Sequence, residues 1–497
     1  MTGVERYDVA IIGGGTMGSA AAWALTRQGL RPVVLEQFSV VHDQGSHSGD
    51  TRIFRHAYAE SPDYVPLVLR ADELWQELAA ATGDLVLNRC GGLELSAPGY
   101  AHARSAREAA DIHGLSYEWL TPGEARSRWP QIAVPDDWDV LYSDASGFLN
   151  VEPAIRGMMR LAEDNGATIK TGAPVTAWGN RGHVVWIDTP AGQIEADAAI
   201  ITAGAWADRA LVNLGLPLHV RRKTLWWQRL RHPEHFTPER LPVFISDSNI
   251  GGIYGFPCVD GASLKIANHL DGEVVNPDTV DRTTHPGENA DVVALAAQLF
   301  PDATADVVKS AVCLYMMTPD QDFILDRHPA LPNVAIGAGF SGHGFKFAPA
   351  VGEALANLVT DPTYQTQGRF QLNRFEPAGV SGYVAYCLLR TSGLSTTRRG
   401  WFRTRAGSPS GESASVDEPR LVTASSGYEP SGQLPPAAAH SSTTRRKSLS
   451  VAMKPVAEVF RALPESLTVP NPSRRSRTKA FWRCASKAAV KGKMAGL

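Results

Sequence analysis

An α/β fold is predicted for this chain of 497 residues, on three observations. Tyr7 to Ile12 reads as a buried strand, Met17 to Gln28 as a helix and Pro32 to Leu35 as a second strand, together a βαβ unit. The glycine-rich loop GGGTMG joins the first strand to the helix. Beyond Glu94, strand-like and helical stretches alternate without a repeat, and Ala199 to Gly204 (AIITAG) is another buried strand ending at a glycine.

The loop carries the first chemical signal. Gly13, Gly15 and Gly18 stand in G-x-G-x-x-G spacing between strand and helix. Gly13 permits the tight turn, Gly15 lets the backbone approach a pyrophosphate, and Gly18 allows close helix packing, while the helix N-terminus offers amides and a dipole to phosphate. Glu36, 18 residues past Gly18 at the end of the second strand, can accept from ribose hydroxyls. The pattern points to a dinucleotide without separating FAD from NAD.

With 43% hydrophobic and 20% charged residues, the composition is that of a globular protein with ample core. The first residues lack a basic region followed by a cleavage site, and no apolar run approaches the roughly 20 residues of a membrane helix, so a cytoplasmic protein without membrane contact is expected. Five scattered cysteines (Cys90, Cys258, Cys313, Cys387, Cys484) include no C-x-x-C pair and suggest no disulfide framework. His42, His47, His56 and His343 lack the spacing of a helical zinc site, and no metal centre is expected. There is no Gly-x-Ser-x-Gly elbow and no Walker loop.

The net charge of -3 hides an asymmetry about Phe375: the segment after it carries about +12 and the body about -15. The acidic body is no candidate for nucleic-acid binding. After Phe375 the chain turns to Ser, Thr, Pro, Ala and Arg, a composition that predicts a disordered basic tail over 376–497. A basic arm for nucleic acid or membrane surfaces, or a reading-frame artefact, are the other readings of that tail. Helices are expected over Tyr64 to Ala80 and Phe345 to Leu358.

Three further segments resemble the monomeric sarcosine oxidase and N-methyltryptophan oxidase family, within the D-amino-acid-oxidase-like flavoenzymes. They are GSHSGDTRIFRHAY (Gly45 to Tyr58), SAVCLYMMTPDQDFILDRHP (Ser310 to Pro329) and AGFSGHGFKFAPAVGE (Ala338 to Glu353). AIITAGAW is similar to the second nucleotide-proximal strand of that group and brings in Gly204. The resemblance runs from about Tyr7 to Phe375. It implies a glutathione-reductase-like, Rossmann-type FAD domain assembled from about 1–90, 150–215 and 320–375, with a mixed α+β substrate domain from about 91–149 and 216–319.

The resemblance also assigns roles. Cys313 in AVCLY matches the cysteine that joins the flavin through its 8α carbon; alone, it would read as a buried apolar cysteine. Gly342 and Gly344, before a helix, would turn amides toward the pyrimidine edge of the flavin, where reduction puts negative charge. Arg55 and Lys346 match the pair that holds the substrate carboxylate, and Arg52 lines the flavin. Lys265 would promote the reaction with oxygen, while Tyr254, His269 and Tyr315 shape the substrate pocket. Two departures stand out: Ser48 follows His47 where relatives commonly carry paired histidines, and Met316 and Met317 replace more polar residues.

The expected reaction is oxidation of an N-methyl amino acid by O2, yielding the free amino acid, formaldehyde and hydrogen peroxide, by a monomer. A dehydrogenase with another acceptor, an oxidase of glycine or free D-amino acids, and a non-catalytic flavin-binding protein are the alternatives.

Overall fold

The computed structural model describes residues 4–375 and the two-residue strand Tyr386–Cys387; the rest of the expected basic tail, Cys484 included, lies outside the described residues. Strand β1 (Glu5–Ile12), helix α1 (Thr16–Arg27) and strand β2 (Pro32–Leu35) form the opening βαβ unit. β1 runs parallel to β2 on one side and to Gly192–Ile201 on the other. Leu331–Ala338 and Thr168–Lys170 extend this parallel core outward. Ile12, Leu35 and Ile201 therefore end at one edge, outside which an open parallel sheet leaves a crevice for ligands.

A second sheet of eight strands has the order 303–317, 219–230, 263–268, 251–256, 243–248, 92–96, 139–143, 118–120. Its long outer pair, His219–Leu230 against Ala303–Met317, is antiparallel with register shifts after Trp227. A separate three-stranded piece, in the order Thr51–Phe54, Gly147–Asn150, Leu87–Asn88, draws its strands from either side of the second sheet's first three strands in sequence. Each large sheet has its own apolar core, one around Trp23, Trp75 and Phe347, the other around Trp129, Trp226 and Phe300.

Packing of α1 fixes the glycine loop. Its nearly all-small face, Ser19 to Ala22, is buried against helices Val151–Asp164 and Ala348–Thr360. The tightest approach is at Gly352, where an added Cβ would lie 2.4 Å from the Ala20 carbonyl carbon. The helix expected over 64–80 is Val65–Thr82, closed by Gly83 at φ +74°. That expected over 345–358 starts later: Phe345–Phe347 is a 3-10 turn, and the α-helix runs Ala348–Thr360 with Pro349 in its first turn. Proline lacks an N–H and suits that position, which sets the start of the α-helix. No helix among the described residues is long and apolar enough to cross a membrane.

Gly352→Ala is therefore expected to lower unfolding free energy by about 1–3 kcal/mol through overpacking against α1. Gly123→Ala, where a Cβ meets nothing within 4 Å, is expected to change it by less than about 1 kcal/mol. Denaturant unfolding of the two variants checks the contrast.

Candidate functional site

The glycine loop opens on a cavity of about 1210 Å³, above the ~300–1,000 Å³ common for small-ligand clefts. Gly13 sits at φ +99°, where an added Cβ would lie 2.5 Å from the Thr202 carbonyl oxygen; a Cβ on Gly18 would lie 1.9 Å from the Gly13 oxygen. On Gly15 it would meet nothing closer than 3.9 Å, so the backbone there is bare toward the cavity. Thr202 secures the turn from the neighbouring strand, its hydroxyl donating to the Gly13 carbonyl at 2.8 Å. Gly204, at φ +53°, lines the same wall.

Glu36 also lines the cavity, with both oxygens in use. One accepts from the Gly14 amide and the other from the Phe38 amide, each at 2.8 Å. Burial pushes its pKa up against those amide bonds. Glu36 thus braces the loop as well as facing the position expected for a ribose. The cavity continues past Arg52 to Tyr315, Gly342 and Gly344. Gly342, at φ +81°, lies so close to Tyr315 that a Cβ would fall 2.2 Å from its ring.

Arg52 ties the loop before it together. Its guanidinium donates to the carbonyls of Ser46 (3.1 Å), Ser48 (2.6 Å) and Thr51 (2.8 Å), and lies 3.8 Å from the Cys313 sulfur. Cys313 is buried just beyond the cavity wall, its thiol donating to the Ser46 carbonyl at 3.3 Å. Lys265, Lys223 and Arg282 also interact electrostatically with it, so the sulfur lies in a positive field. Ser48 reaches the site through its backbone carbonyl.

Lys265 is buried with its ammonium on Thr51, at 2.8 Å from the carbonyl and 3.0 Å from the hydroxyl, beside the rings of Phe256 and Trp227. Burial, with Arg52 adding repulsion, holds its pKa well below the usual lysine value. An anion entering beside it would raise that pKa and favour the ammonium.

Beyond Tyr315 stands a second cluster of side chains, at the expected substrate chamber. Tyr254 and Tyr315 are hydrogen-bonded through their phenols, and the His269 ring stands 6.4 Å from Tyr254 and 5.7 Å from Tyr315. Burial lowers the His269 pKa to about 3, so the imidazole is neutral near pH 7. Arg55 is buried over the Tyr58 ring, and one of its guanidinium nitrogens donates to both carboxylate oxygens of Glu60, at 2.6 and 2.7 Å. A second carboxylate, Glu94, lies 3.8 Å away and is itself bonded to His102 at 2.6 Å. Burial opposes the Arg55 charge, but the two carboxylates outweigh it and hold its pKa above the ordinary value.

Lys346 lies in the 3-10 turn, ahead of the α-helix. Its ammonium donates to the His343 carbonyl at 2.9 Å and to the Tyr58 hydroxyl at 3.4 Å. Burial, then repulsion from Arg55, lowers its pKa to about 7.

The structure therefore brings the expected residues into two adjoining groups. Gly13, Gly15, Glu36, Gly204, Arg52, Gly342 and Gly344 line the long cavity, Gly18 packs behind Gly13, and Cys313 and Lys265 lie behind the wall near Arg52; Arg55, Lys346, Tyr254, His269 and Tyr315 form the cluster beyond. Sequence reading missed Thr51, Tyr58, Glu60 and Glu94. The bare backbone at Gly15, the length of the cavity and the cations near Arg52 fit an extended, anionic dinucleotide such as FAD.

Comparison with known proteins gives the same picture. Residues 8–358 match the family described as FAD dependent oxidoreductase (DAO). The chain is 38% identical to a monomeric sarcosine oxidase of Bacillus sp. (strain NS-129) over 375 residues, covering 74% of this chain and 97% of that enzyme. It is 36% identical to an N-methyl-L-tryptophan oxidase of Citrobacter koseri over 382 residues, covering 74% and 99%. Among solved structures, glycine oxidase from Geobacillus kaustophilus superposes with a TM-score of 0.63 at 24% identity, over 75% of this chain and 99% of that one, and so shares the fold.

The chamber's charges define two outcomes for a carboxylate ligand, propionate being a suitable calorimetric probe. Glu60→Gln removes the internal carboxylate from Arg55, and propionate should bind about tenfold tighter. Lys346 is cationic below its pKa, so affinity should be highest below pH 7 and fall as pH rises through about 7; Lys346→Met should flatten that dependence.

Proposed function

Because the chain belongs to the FAD-dependent oxidoreductase family, we propose that it is an oxidase of N-methyl amino acids. In this reading R–NH–CH3, O2 and water yield R–NH2, formaldehyde and H2O2. The chemistry FAD supplies when bound is two-electron redox between a C–H bond and oxygen. Gly13 and Gly15, with Gly18 packed behind them, would hold its pyrophosphate, Glu36 would meet the ribose, and Gly342 and Gly344 would meet the ring system.

The observation that carries the proposal is the Arg55–Glu60 ion pair, with Lys346 close enough to feel both charges. Arg55 and Lys346 are buried cations that can receive one carboxylate, and Arg55 is paired meanwhile with Glu60, whose side chain is 34% exposed. A substrate carboxylate that replaces Glu60 leaves Arg55 paired throughout. Stranding a buried guanidinium, by contrast, would cost about 3–5 kcal/mol. Anchored there and at Lys346, the substrate amine points toward Tyr315 and the flavin end of the cavity. Neutral His269 accepts no proton near neutrality and acts with Tyr254 and Tyr315 as wall and orienter. A neutral substrate amine suffices, since its lone pair assists loss of hydride from the N-methyl carbon.

Lys265 puts a cation beside the place where oxygen is reduced, and Arg52 holds the loop that carries its partner Thr51. Cys313 is the attachment point for a covalent flavin. Cys313 would hold the flavin by a thioether to its 8α carbon, a linkage whose formation would release the thiol proton and pass two electrons through the flavin to oxygen. Arg52, Lys223 and Lys265 surround the sulfur with positive charge. The protein acts as a monomer in the cytoplasm.

Anaerobic addition of sarcosine or N-methyl-L-tryptophan to the yellow protein should bleach it; no bleaching by any N-methyl amino acid would refute the reading. Lys265→Met should bleach at a rate within a few-fold of the parent while its reaction with oxygen slows about 10²–10³-fold. Acid precipitation should leave the colour in the pellet, and Cys313→Ser should release it to the supernatant.

A further inference from the structure

The wall made by His269 and Tyr315 has a buried clamp behind it. Lys223, on the strand His219–Leu230, is 5% exposed. Its ammonium donates to three successive main-chain oxygens, those of His269 (3.2 Å), Leu270 (2.5 Å) and Asp271 (2.9 Å). Three N–H donors meet three acceptors, so a cation that would otherwise be expensive to bury is satisfied. Across the strand pair Lys223 faces Cys313, and its ammonium lies 5.6 Å from the Tyr315 ring centroid.

The three carbonyls converge because the backbone reverses there. Asp271 has φ +59° and Gly272 φ +108°, and a Cβ on Gly272 would lie 2.7 Å from the Arg222 carbonyl oxygen. An L-residue held at positive φ relaxes unless its surroundings determine it, and Lys223 supplies that restraint. The next residue back, Arg222, fixes the far end of the same segment through the carbonyls of Asp281 (2.7 Å) and Thr283 (2.6 Å) and the carboxylate of Glu288 (3.1 Å). Between the two anchors, Asn276 to Thr279 line the long cavity.

We infer that Lys223 is a positioning residue that sets substrate selectivity: by fixing the main chain at 269–271 it holds the His269 ring against Tyr315 and keeps that side of the chamber narrow. The inference rests on the chamber being the site for N-methyl amino acids. Rings 5.7 Å apart are in contact, leaving no gap for a bulky side chain between them. The intact clamp therefore favours a small α-substituent, and a loosened one admits a larger.

The test compares flavin-loaded wild type, Lys223→Met, which keeps length but loses charge and donors, and Lys223→Arg, which keeps both. The ratio of kcat/KM for sarcosine over N-methyl-L-tryptophan should fall about tenfold in the Met variant, through a raised KM for sarcosine with kcat within threefold, and return in the Arg variant. Equal losses for both substrates, or an unchanged ratio, would overturn the inference. Hydrogen exchange at the amides of 269–272 separates this from a failure of the functional reading. Should the wild type oxidise neither substrate, exchange there should still quicken in the Met variant, and unchanged exchange overturns the clamp. If Lys223→Met does not fold, Lys223→Gln takes its place with the same expected direction.

Discussion

Positive charge kept out of water on main-chain oxygens is the interaction on which the rest of this site depends. Arg52 is held by the carbonyls of Ser46, Ser48 and Thr51, Lys265 by Thr51, Lys346 by His343, and Lys223 by three carbonyls in a row. Carbonyls satisfy the donors without cancelling the charge, so each cation keeps most of its field for a ligand. Burial answers by depressing the lysine pKa values, and an arriving anion reverses that shift. Arg55 is the contrasting case. Its partners are carboxylates, and binding there is an exchange of one carboxylate for another, which makes affinity depend on small differences between two similar pairs.

The fold delivers these cations from segments far apart in sequence. Arg52 and Arg55 come from the short strand Thr51–Phe54 and the residue after it, Lys265 from the second sheet, and Lys346 from the turn that follows Gly344. Cys313 and Tyr315 lie on the outer strand of the second sheet, facing the strand that carries Lys223. The parallel sheet sets the other limit. Its strands end beside the glycine loop, and Thr202 and Glu36 fix that loop from two neighbouring strands. A ligand spanning both regions must be long, and its reacting end must lie where the two sheets meet. Tyr315 and Gly342, pressed together, both line the long cavity on the side of the Arg55 and Lys346 cluster.

Much of this was legible in the sequence, because it rests on local rules. The βαβ unit, the φ > 0 turn at Gly13 and the close approach at Gly18 follow from glycine spacing alone. The resemblance supplied Arg55, Lys346, Lys265 and Cys313, which no periodicity would single out. Glu36 was found for its position, but its two amide bonds were not foreseen, since they depend on how the chain bends at Phe38. Lys346 was placed in a helix that begins after it, because a 3-10 turn and an α-turn share one hydrophobic pattern. Glu60, Glu94 and Lys223 escaped altogether. Each reads as an ordinary exposed charge, and only tertiary contact gives it a role: Glu60 stays partly exposed while reaching buried Arg55, Glu94 is buried under the helix bearing His102, and Lys223 is buried beneath a reversed turn.

The central claim is that carbonyl-held cations beside the cavity serve the charge that appears on a reduced flavin. The measurement that meets it most directly is the two-electron reduction potential of the bound flavin in the parent protein and in Lys265→Met. Loss of the cation should move the potential to more negative values, because the reduced, anionic form loses its stabilising neighbour. An unchanged or more positive potential would contradict the account.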